Sequence, residues 1–480
     1  MRLFKKLLFA VTGIMFNYSA QAQTDTIDTF LKNEMQKRNI PGLQLAVVKN
    51  GKIVKLGNYG LADLQNSIPV SENTIFIINS ITKAFTGVAT LQLVEGGKLN
   101  LSAPISTYLN DLPEAWKNVT TQQLLSHTSG IPDIVDEETN ILVPESEEAS
   151  WAKVQTLPMD FKPGEKFRYN QTNYLLIGRI IDKLSNMPFT EFIVKEQLQK
   201  VGMPNTIRAG FGGSRDVVLN SAGEYRFTKG KHTNMFYSLP PTLQTAGGMI
   251  SSAKEIANWI IALQNKQLLK ENKTLAALWT PAILNNGKTG GFDNLLNGYA
   301  AGWPTVERAE YPAVAPVGGG RSAVMVYPKN NLSIIVLTNL NGASPERFID
   351  ELAGFYIPEM KKLKGNGFSA AVTALRNTLD KSGYKNAIAE TQKTNPSFDE
   401  SELNNWGYSL LKEKRIKDAI EIFKLNVFLF PESANTYDSL AEMYAFMDEK
   451  DLAIKNYEYS FKLNPKNKNA EEQLKKLKSK

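Results

Sequence analysis

Residues 74–97 of the chain read TIFIINSITKAFTGVATLQLVEGG. From Ser80 to Val94 the apolar residues recur every three or four positions and Gly96-Gly97 provides a stop, so the pattern predicts a helix that begins at Ser80. Lys83 then lies one turn from Ser80 on the same helix face. A desolvated lysine near a helix N-terminus can accept the serine proton, and the serine backbone N–H points toward a developing oxyanion. The stretch therefore predicts a Ser-x-x-Lys nucleophile, although a serine before an apolar helix is also a common cap.

The composition limits the alternatives. The chain has 480 residues, of which 42% are hydrophobic and 21% charged, and this is globular composition for two or more domains. Its net charge of +7 is spread without a dense basic stripe, which argues against nucleic acid as a partner. With no cysteine and two histidines, the chain offers no thiol nucleophile and little for a metal site, so we predict neither a metal nor another cofactor. There is no Gly-x-Ser-x-Gly motif, so a serine hydrolase of this composition would use lysine and tyrosine as proton carriers.

The first 22 residues have the pattern of a signal peptide. Basic residues precede the apolar run from Leu7 to Phe16, and Ala20-Gln21-Ala22 supplies small residues at the positions that a signal peptidase reads. We predict cleavage after Ala22 and export to the periplasm or the medium; an uncleaved membrane anchor is the alternative. No later apolar stretch reaches the roughly 20 residues that a membrane span requires, so we predict no span in the mature protein.

Two hairpins bracket the first large domain. Leu43–Val48 and Ile53–Gly57 flank Asn50-Gly51, a strong hairpin signal, and the second hairpin joins Ala323–Tyr327 to Leu332–Asn339. These patterns predict an antiparallel sheet. Helices are predicted for Thr24 through Arg38 and for Ala253–Gln264, whereas residues 133–160 are acidic and are predicted to be irregular.

A second informative stretch of the sequence runs from Pro163 to Gly178. A Pro-Gly turn leads into a loop, and Thr172 or Asn173 can cap a helix that extends through Leu184. Tyr169 therefore lies just before a helix N-terminus.

Taken in order, these segments resemble the serine beta-lactamase-related family, which includes class C beta-lactamases, D-alanyl-D-alanine carboxypeptidases and related esterases and D-amino-acid peptidases. The likeness covers residues 40–357. It implies an α+β fold of the beta-lactamase/transpeptidase type, with an antiparallel sheet flanked by helices and a helical region. It also implies that Ser80 is the acyl-forming nucleophile, that Lys83 is its proton partner, and that Tyr169 relays a proton to the leaving group. His127 matches a structural landmark of the family.

Two family motifs are altered here. The second motif is Tyr-x-Asn, but Gln171 stands in place of its Asn; the longer amide can still orient a substrate carbonyl. The third motif is Lys-Thr-Gly or His-x-Gly, whereas the aligned strand reads Pro316-Val317-Gly318 and carries no cation. A literal Lys288-Thr289-Gly290 occurs in what looks like a loop, and we interpret it as a coincidence. Losing the cation predicts weak activity toward beta-lactams and other substrates recognised by a carboxylate.

Backbone groups can take over part of the role of the altered third motif. The N–H of Gly319 can join that of Ser80 in an oxyanion hole, since a main-chain donor needs no particular side chain. Arg321 could bind a substrate carboxylate in place of the missing cation, or it could be a solvated charge on the strand; we favour the second interpretation.

The C-terminal part is predicted to be an all-α repeat domain. A period of 34 residues pairs Trp406 with Leu440 and Ala419 with Ala453; Gly407, Phe423 and Pro431 have counterparts in the same register. Small residues, aromatics and a terminal proline at these positions resemble tetratricopeptide repeats. We predict an earlier, degenerate helix pair at Ser369–Thr394 and a lysine-rich capping helix from Lys466 to Lys480. Such repeats often bind a protein or peptide, but they could equally serve only to pack on the hydrolase domain.

The predicted domains are therefore a signal peptide (1–22), a hydrolase domain (23–360) and helical repeats (361–480). The leading functional hypothesis is an exported serine hydrolase acting on a small-molecule or peptide substrate. The alternative is a hydrolase-like scaffold that has lost turnover and binds a partner through its repeats.

Overall fold

The computed structural model describes residues 26–135, 142, 146–212, 216–236, 239–363, 370–394, 398, 400–412, 415–465 and 467–478. The predicted signal peptide and its cleavage site lie outside these residues. No helix in the described ranges is both long enough and apolar enough to cross a membrane.

The strands belong to the larger of two compact units. In chain order they are β1 (Gly42–Lys49), β2 (Lys52–Asp63), β3 (Ile68–Pro69), β4 (Phe76–Ile77), β5 (Tyr225–Thr228), β6 (Lys231–Asn234), β7 (Ile250–Ser251), β8 (Gly298–Tyr299), β9 (Pro304–Val306), β10 (Ala313–Val314), β11 (Val317–Gly318), β12 (Ser322–Tyr327), β13 (Leu332–Thr338) and β14 (Leu340–Asn341).

Helices α1 to α11 belong to the same unit, and α12 to α18 form the second. In chain order they are α1 (26–38), α2 (Thr82–Glu95), α3 (Thr121–Leu125), α4 (Glu147–Val154), α5 (Gln171–Ser185), α6 (Phe189–Ile193), α7 (Gln199–Val201), α8 (Pro204–Ala209), α9 (Ala253–Gln264), α10 (Asn272–Trp279), α11 (Ile349–Ala353), α12 (Ala370–Ser382), α13 (Ala387–Thr394), α14 (Glu400–Lys412), α15 (Ile416–Leu429), α16 (Ala434–Phe446), α17 (Lys450–Leu463) and α18 (Lys468–Lys478).

The main sheet has the strand order β3-β2-β1-β13-β12-β10-β9-β8, and β11 pairs with β12. Neighbouring strands are antiparallel, as the two hairpins predict. Strands β1, β12 and β13 are buried almost throughout, so both of their faces are covered. Helix α9 packs on β1 and β13, and α11 packs on β13. The α+β expectation is confirmed.

Both hairpins form where the sequence places them. Asn50 and Gly51 have φ angles of 50° and 72°, and two positive values are what a tight turn matched to the strand twist requires. Helix α9 has the predicted bounds, and Ser252 caps it by accepting the N–H of Glu255. Helix α1 ends at residue 38 as predicted, while its predicted start lies outside the described residues.

Three local expectations are wrong. Ser80 lies on a 3-10 turn, Asn79–Ile81, and the α-helix begins at Thr82, because the backbone reaches this turn through Asn79 in a left-handed conformation with φ of 48°. The cap of α5 is Asn170, whose side chain accepts the N–H of Asn173. The acidic segment is not irregular throughout, since Ser146 caps α4.

The helices of the second unit recur with the predicted 34-residue spacing. The starts of α14, α16 and α18 are 34 residues apart, and so are the starts and the ends of α15 and α17. Ala419 and Ala453, which this period pairs, are both buried. A Cβ on Gly407 would lie 2.7 Å from the buried Phe423 ring, which explains the small residue. The region is helical as expected; its assignment to the tetratricopeptide class remains a prediction.

Candidate active site

Ser80 is presented by a short, tightly packed turn. Strand β4 leads into the turn and pairs with β7, while the turn itself continues into α2. The ten residues from Thr82 to Leu91 are all buried, because α2 packs against α5, α6 and α10. Ser80 itself is only half-buried, so its hydroxyl lies where a rigid element meets accessible space.

The phenol of Tyr169 contacts the candidate nucleophile directly. Its O–H donates a hydrogen bond of 2.7 Å to Ser80 Oγ, across 89 positions of sequence. Tyr169 lies two residues before α5, whose start is fixed by the Asn170 cap. The structure therefore brings together the two hydroxyls that the sequence placed in separate motifs.

Lys83 is fully buried, with an exposed fraction of 0%. Its Nζ donates to Gln171 Oε1 at 2.9 Å and to the carbonyl of Ala246 at 2.8 Å, and it lies 4.6 Å from the Tyr169 ring centre. Burial lowers the pKa of the Lys83 amine well below its ordinary value, and the charge of Asp133 opposes that shift. A neutral amine has two N–H donors and one lone pair. In its neutral form, this amine would use both donors for Gln171 and Ala246 and keep its lone pair to accept a proton.

Asp133 is a charged neighbour that the sequence analysis did not identify. Its carboxylate accepts the backbone N–H of Gln171 at 3.0 and 3.1 Å, at the first turn of α5. Burial raises the pKa of Asp133 to about 6, against the opposing effect of these backbone hydrogen bonds. Two hydrogen bonds through Gln171 thus connect an acidic group to the amine of Lys83. A Pro-Asp pair in an apolar loop was the only sequence signal for it.

His127 is a buried packing residue, as expected. Its Nδ1 accepts the backbone N–H of Asn170 at 3.2 Å, and its ring lies 4.5 Å from that of Tyr169. Burial, followed by the nearby Lys83, lowers the pKa of His127 well below its usual range, so the ring stays neutral at pH 7. It supports the Tyr169 ring and the start of α5.

Gly318, the last residue of β11, and the adjacent Gly319 lie against the turn that carries Ser80. A Cβ on Gly318 would be 2.0 Å from the carbonyl oxygen of Ile78, and one on Gly319 would be 2.7 Å from Asn79 Nδ2. Gly319 also has φ of 54°, in the left-handed region that favours glycine. The main chain of Gly319 is therefore next to Asn79, the residue that precedes Ser80.

Gln171 and Arg321 make contacts that the sequence did not predict. The amide oxygen of Gln171 binds Lys83. Arg321 is buried, and its Nη1 lies 2.8 Å from Glu224 Oε1. The expectation of a solvated charge on the strand is wrong for Arg321, because Glu224 neutralises it within the protein. The same ion pair makes its guanidinium a poor replacement for the missing cation.

Aromatic rings surround Tyr169. Phe292 lies 5.0 Å from it between ring centres, and Phe167 lies 5.5 Å from Phe292. Tyr299 is buried beside them, 5.5 Å from Phe167. Phe292 follows the literal Lys288-Thr289-Gly290, which lies in a loop outside the named strands, where Thr289 forms an isolated bridge with Ile283. Phe292 carried no sequence signal beyond being a lone aromatic after two glycines.

No group of His, Asp or Glu residues within the described ranges has the arrangement needed to hold a metal ion.

Comparison with known proteins gives one consistent result. The family model described as Beta-lactamase matches residues 27–356. "Protein flp" of Staphylococcus aureus (strain COL) is 28% identical over 335 residues, covering 68% of this chain and 65% of that protein, so the chain spans less than two thirds of that relative. A "Beta-lactamase" of Providencia stuartii is 32% identical over 291 residues, covering 59% of this chain and 69% of that protein. Among solved structures, the penicillin binding protein from Bacillus halodurans aligns with a TM-score of 0.57 and 27% identity, covering 68% of this chain and 98% of that one.

Proposed function

Because the chain belongs to the beta-lactamase family, whose members are serine hydrolases, we propose that it is an exported serine hydrolase that cleaves an ester, an amide or a D-amino-acid peptide through an acyl-enzyme on Ser80. The observation that carries the proposal is the 2.7 Å hydrogen bond between Tyr169 and Ser80, beside a buried lysine whose pKa is lowered.

The proposed acylation proceeds as follows. Ser80 Oγ attacks the substrate carbonyl while the Ser80 proton passes to the neutral amine of Lys83. The carbonyl oxygen becomes an oxyanion held by the N–H groups of Ser80 and Gly319. As the bond to the leaving group breaks, Tyr169 gives its proton to that group and regains one from the Lys83 ammonium. The products are the acyl-enzyme and a neutral alcohol or amine.

Deacylation repeats the sequence with water as the nucleophile. Lys83 and Tyr169 carry the water proton to Ser80 Oγ, which leaves as a hydroxyl and releases the carboxylic acid. No metal or organic cofactor enters either step.

The test is covalent labelling. Purified protein is incubated with a fluorophosphonate and its intact mass is measured, alongside Ser80→Ala and, as a matched control, Ser146→Ala at the cap of α4. We expect one adduct on the wild type and on Ser146→Ala and none on Ser80→Ala. Absence of an adduct and of acetyl-ester, amide and nitrocefin turnover in the wild type would overturn the proposal and favour the scaffold alternative.

Export is a separate part of the proposal and rests on the signal-peptide pattern of residues 1–22. Mass spectrometry of the protein recovered from outside the cytoplasm should give an N-terminus at Gln23. An N-terminus that retains the apolar run would contradict cleavage after Ala22.

A further inference from the structure

One large apolar side chain remains exposed at the rim of the candidate site. Phe292 is 42% exposed although its ring packs 5.0 Å from that of Tyr169, the residue bonded to Ser80. An exposed phenyl beside a polar reaction centre has apolar area that a bound molecule can cover.

The loop that carries Phe292 is fastened in place. The N–H of Phe292 donates to the carbonyl of Leu296 at 2.7 Å, and a Cβ on Gly291 would lie 2.1 Å from that same carbonyl oxygen. Further back, the N–H of Asn285 donates to the carbonyl of Gly164 at 2.8 Å, which ties the loop to the segment leading to Tyr169. The Phe292 ring is thus held next to Tyr169 by backbone contacts on both sides of the loop.

Besides Phe292, the Tyr169 ring has three buried neighbours: His127, Lys83 and Tyr299. The ring of His127 lies 4.5 Å from that of Tyr169 and Lys83 Nζ lies 4.6 Å from its centre, and both groups are buried. Phe292 and the half-buried Phe167 lie in contact with one another at the accessible side. In the proposed function Tyr169 delivers a proton to the departing atom, so the groups packed on its accessible side are beside the leaving group.

We propose that Phe292 and Phe167 form an apolar subsite for the leaving group, and that the preferred substrates release an uncharged alcohol or amine with an aromatic or branched aliphatic substituent. This inference rests on the proposed function and names its substrate class. Two phenyl rings can cover such a substituent by stacking, whereas they offer a carboxylate no hydrogen bond.

The experiment compares two acetate esters, 2-phenylethyl acetate and ethyl acetate, by titrating the acetic acid released. Both esters form the same acetyl-enzyme, so a difference in kcat/KM arises from the leaving group alone. We expect the wild type to prefer the phenylethyl ester and Phe292→Ala to reduce that preference about tenfold, since one well-packed apolar group is worth this much in specificity. Phe292→Leu should keep most of the preference, because a branched apolar side chain still covers part of the substituent.

The matched control is Ile283→Ala, which removes another exposed apolar side chain, 62% exposed, from the same loop. It should leave the ratio of the two rates unchanged. An equal rate on both esters in the wild type, or an equal loss on both in Phe292→Ala, would overturn the subsite while leaving the hydrolase intact. A wild type that labels at Ser80 but cleaves neither ester would also overturn the subsite and leave the hydrolase intact. Absence of labelling at Ser80 together with absence of ester, amide and nitrocefin turnover would instead overturn the proposed function, and this inference with it.

Discussion

At the scale of single residues, the contact to Ser80 comes from a phenol rather than from the amine one turn away. Tyr169 donates to Ser80 Oγ, while Lys83 is hydrogen bonded to Gln171 and Ala246. The serine hydroxyl oxygen therefore accepts a hydrogen bond from an oriented proton donor, the Tyr169 hydroxyl. Catalysis should be sensitive to the Tyr169 hydroxyl even though its ring is already well packed.

Tyr169→Phe should lower the acylation rate by about 10²–10⁴-fold, the usual contribution of a positioned acid–base group. The ring and its aromatic contacts stay, so the melting temperature should change little. Stopped-flow measurement of fluorophosphonate or ester acylation gives the rate. Tyr225→Phe is the control, because the Tyr225 hydroxyl also makes hydrogen bonds, to Leu64 and Gln65, but belongs to another part of the unit. Equal rates in wild type and Tyr169→Phe would contradict the assigned role.

Asp133 sets the charge around Lys83. Its carboxylate favours the protonated amine and so raises the pKa of Lys83 against the effect of burial. Because the proposed base is the neutral amine, this carboxylate limits activity at low pH. The folded-state pKa of Asp133 is itself raised from its ordinary value of 3.8 to about 6, so stability falls as the pH rises between these two values and stays lower above them.

Asp133→Asn should therefore shift the acid limb of the kcat/KM profile to lower pH, since removing the negative charge lowers the pKa of Lys83 further. Asn keeps an acceptor for the Gln171 N–H, so the free energy of unfolding at pH 8 should not fall. The control is Asp182→Asn, which alters a carboxylate that accepts the N–H of Phe189 near α6. A shift of the limb to higher pH, or the same shift in both variants, would show that Asp133 does not act through Lys83.

At the scale of elements, the site depends on how closely β11 approaches the turn before α2. Gly318 allows that approach, because any side chain there meets the carbonyl oxygen of Ile78. A main-chain oxygen cannot rotate away as a side chain can. The spacing between Gly319 and Ser80 is thus set by one glycine outside the Ser-x-x-Lys motif.

Gly318→Ala should separate the two elements, costing about 1–3 kcal/mol of unfolding free energy, as overpacking does, together with a large loss of acylation. Denaturant unfolding and labelling rates measure the two effects. Gly96→Ala is the control, since a Cβ there has no contact closer than 3.4 Å and φ is −76°. Full activity in Gly318→Ala would contradict the proposed position of the oxyanion hole.

The predictability of the fold follows from how local each signal is. The turn at Asn50-Gly51 and the bounds of α9 depend only on neighbouring residues, and both predictions are confirmed. Strands β8 to β10 have two or three residues each, too few to give a periodic pattern, and they were not predicted. The cap of α5 was misplaced because several consecutive polar residues can cap equally well; only packing selects Asn170.

The same reasoning applies to the site. Spacing pointed to Ser80 and Lys83, and the family resemblance added Tyr169; the structure brings the three residues into one cluster. Asp133, Phe292 and the Glu224 partner of Arg321 were missed because their contacts join distant segments. The ion pair alone spans nearly a hundred positions of sequence, and no local pattern encodes it.

At the scale of the whole molecule, the two compact units have different sequence patterns, long-range strand pairing in the first and a helical repeat in the second. The first unit is a sheet whose central strands are buried, and its β1 pairs with β13 almost 300 positions away. The second unit repeats helix starts every 34 residues and packs neighbours along the chain. The family match ends at residue 356, so the hydrolase assignment belongs to the first unit.

Gly407→Leu should destabilise the second unit by about 1–3 kcal/mol, because the new side chain collides with the buried Phe423. Labelling at Ser80 should persist. Thermal unfolding followed by circular dichroism measures the first effect, and intact mass measures the second. Lys455→Leu, which adds the same side chain at an exposed position of α17, should leave the melting temperature unchanged. Equal unfolding profiles for both variants would contradict the close packing at Gly407.

The burial of Lys83 has a practical consequence for anyone who wishes to engineer the protein. Burial disfavours the charged form of this amine and lowers its pKa, so holding it in the interior works against folding. Lys83→Met would exchange this chemical group for an apolar one of similar length. Lys83→Met should therefore be the first substitution to test when a more thermostable, catalytically inactive form of the protein is wanted for display or crystallisation.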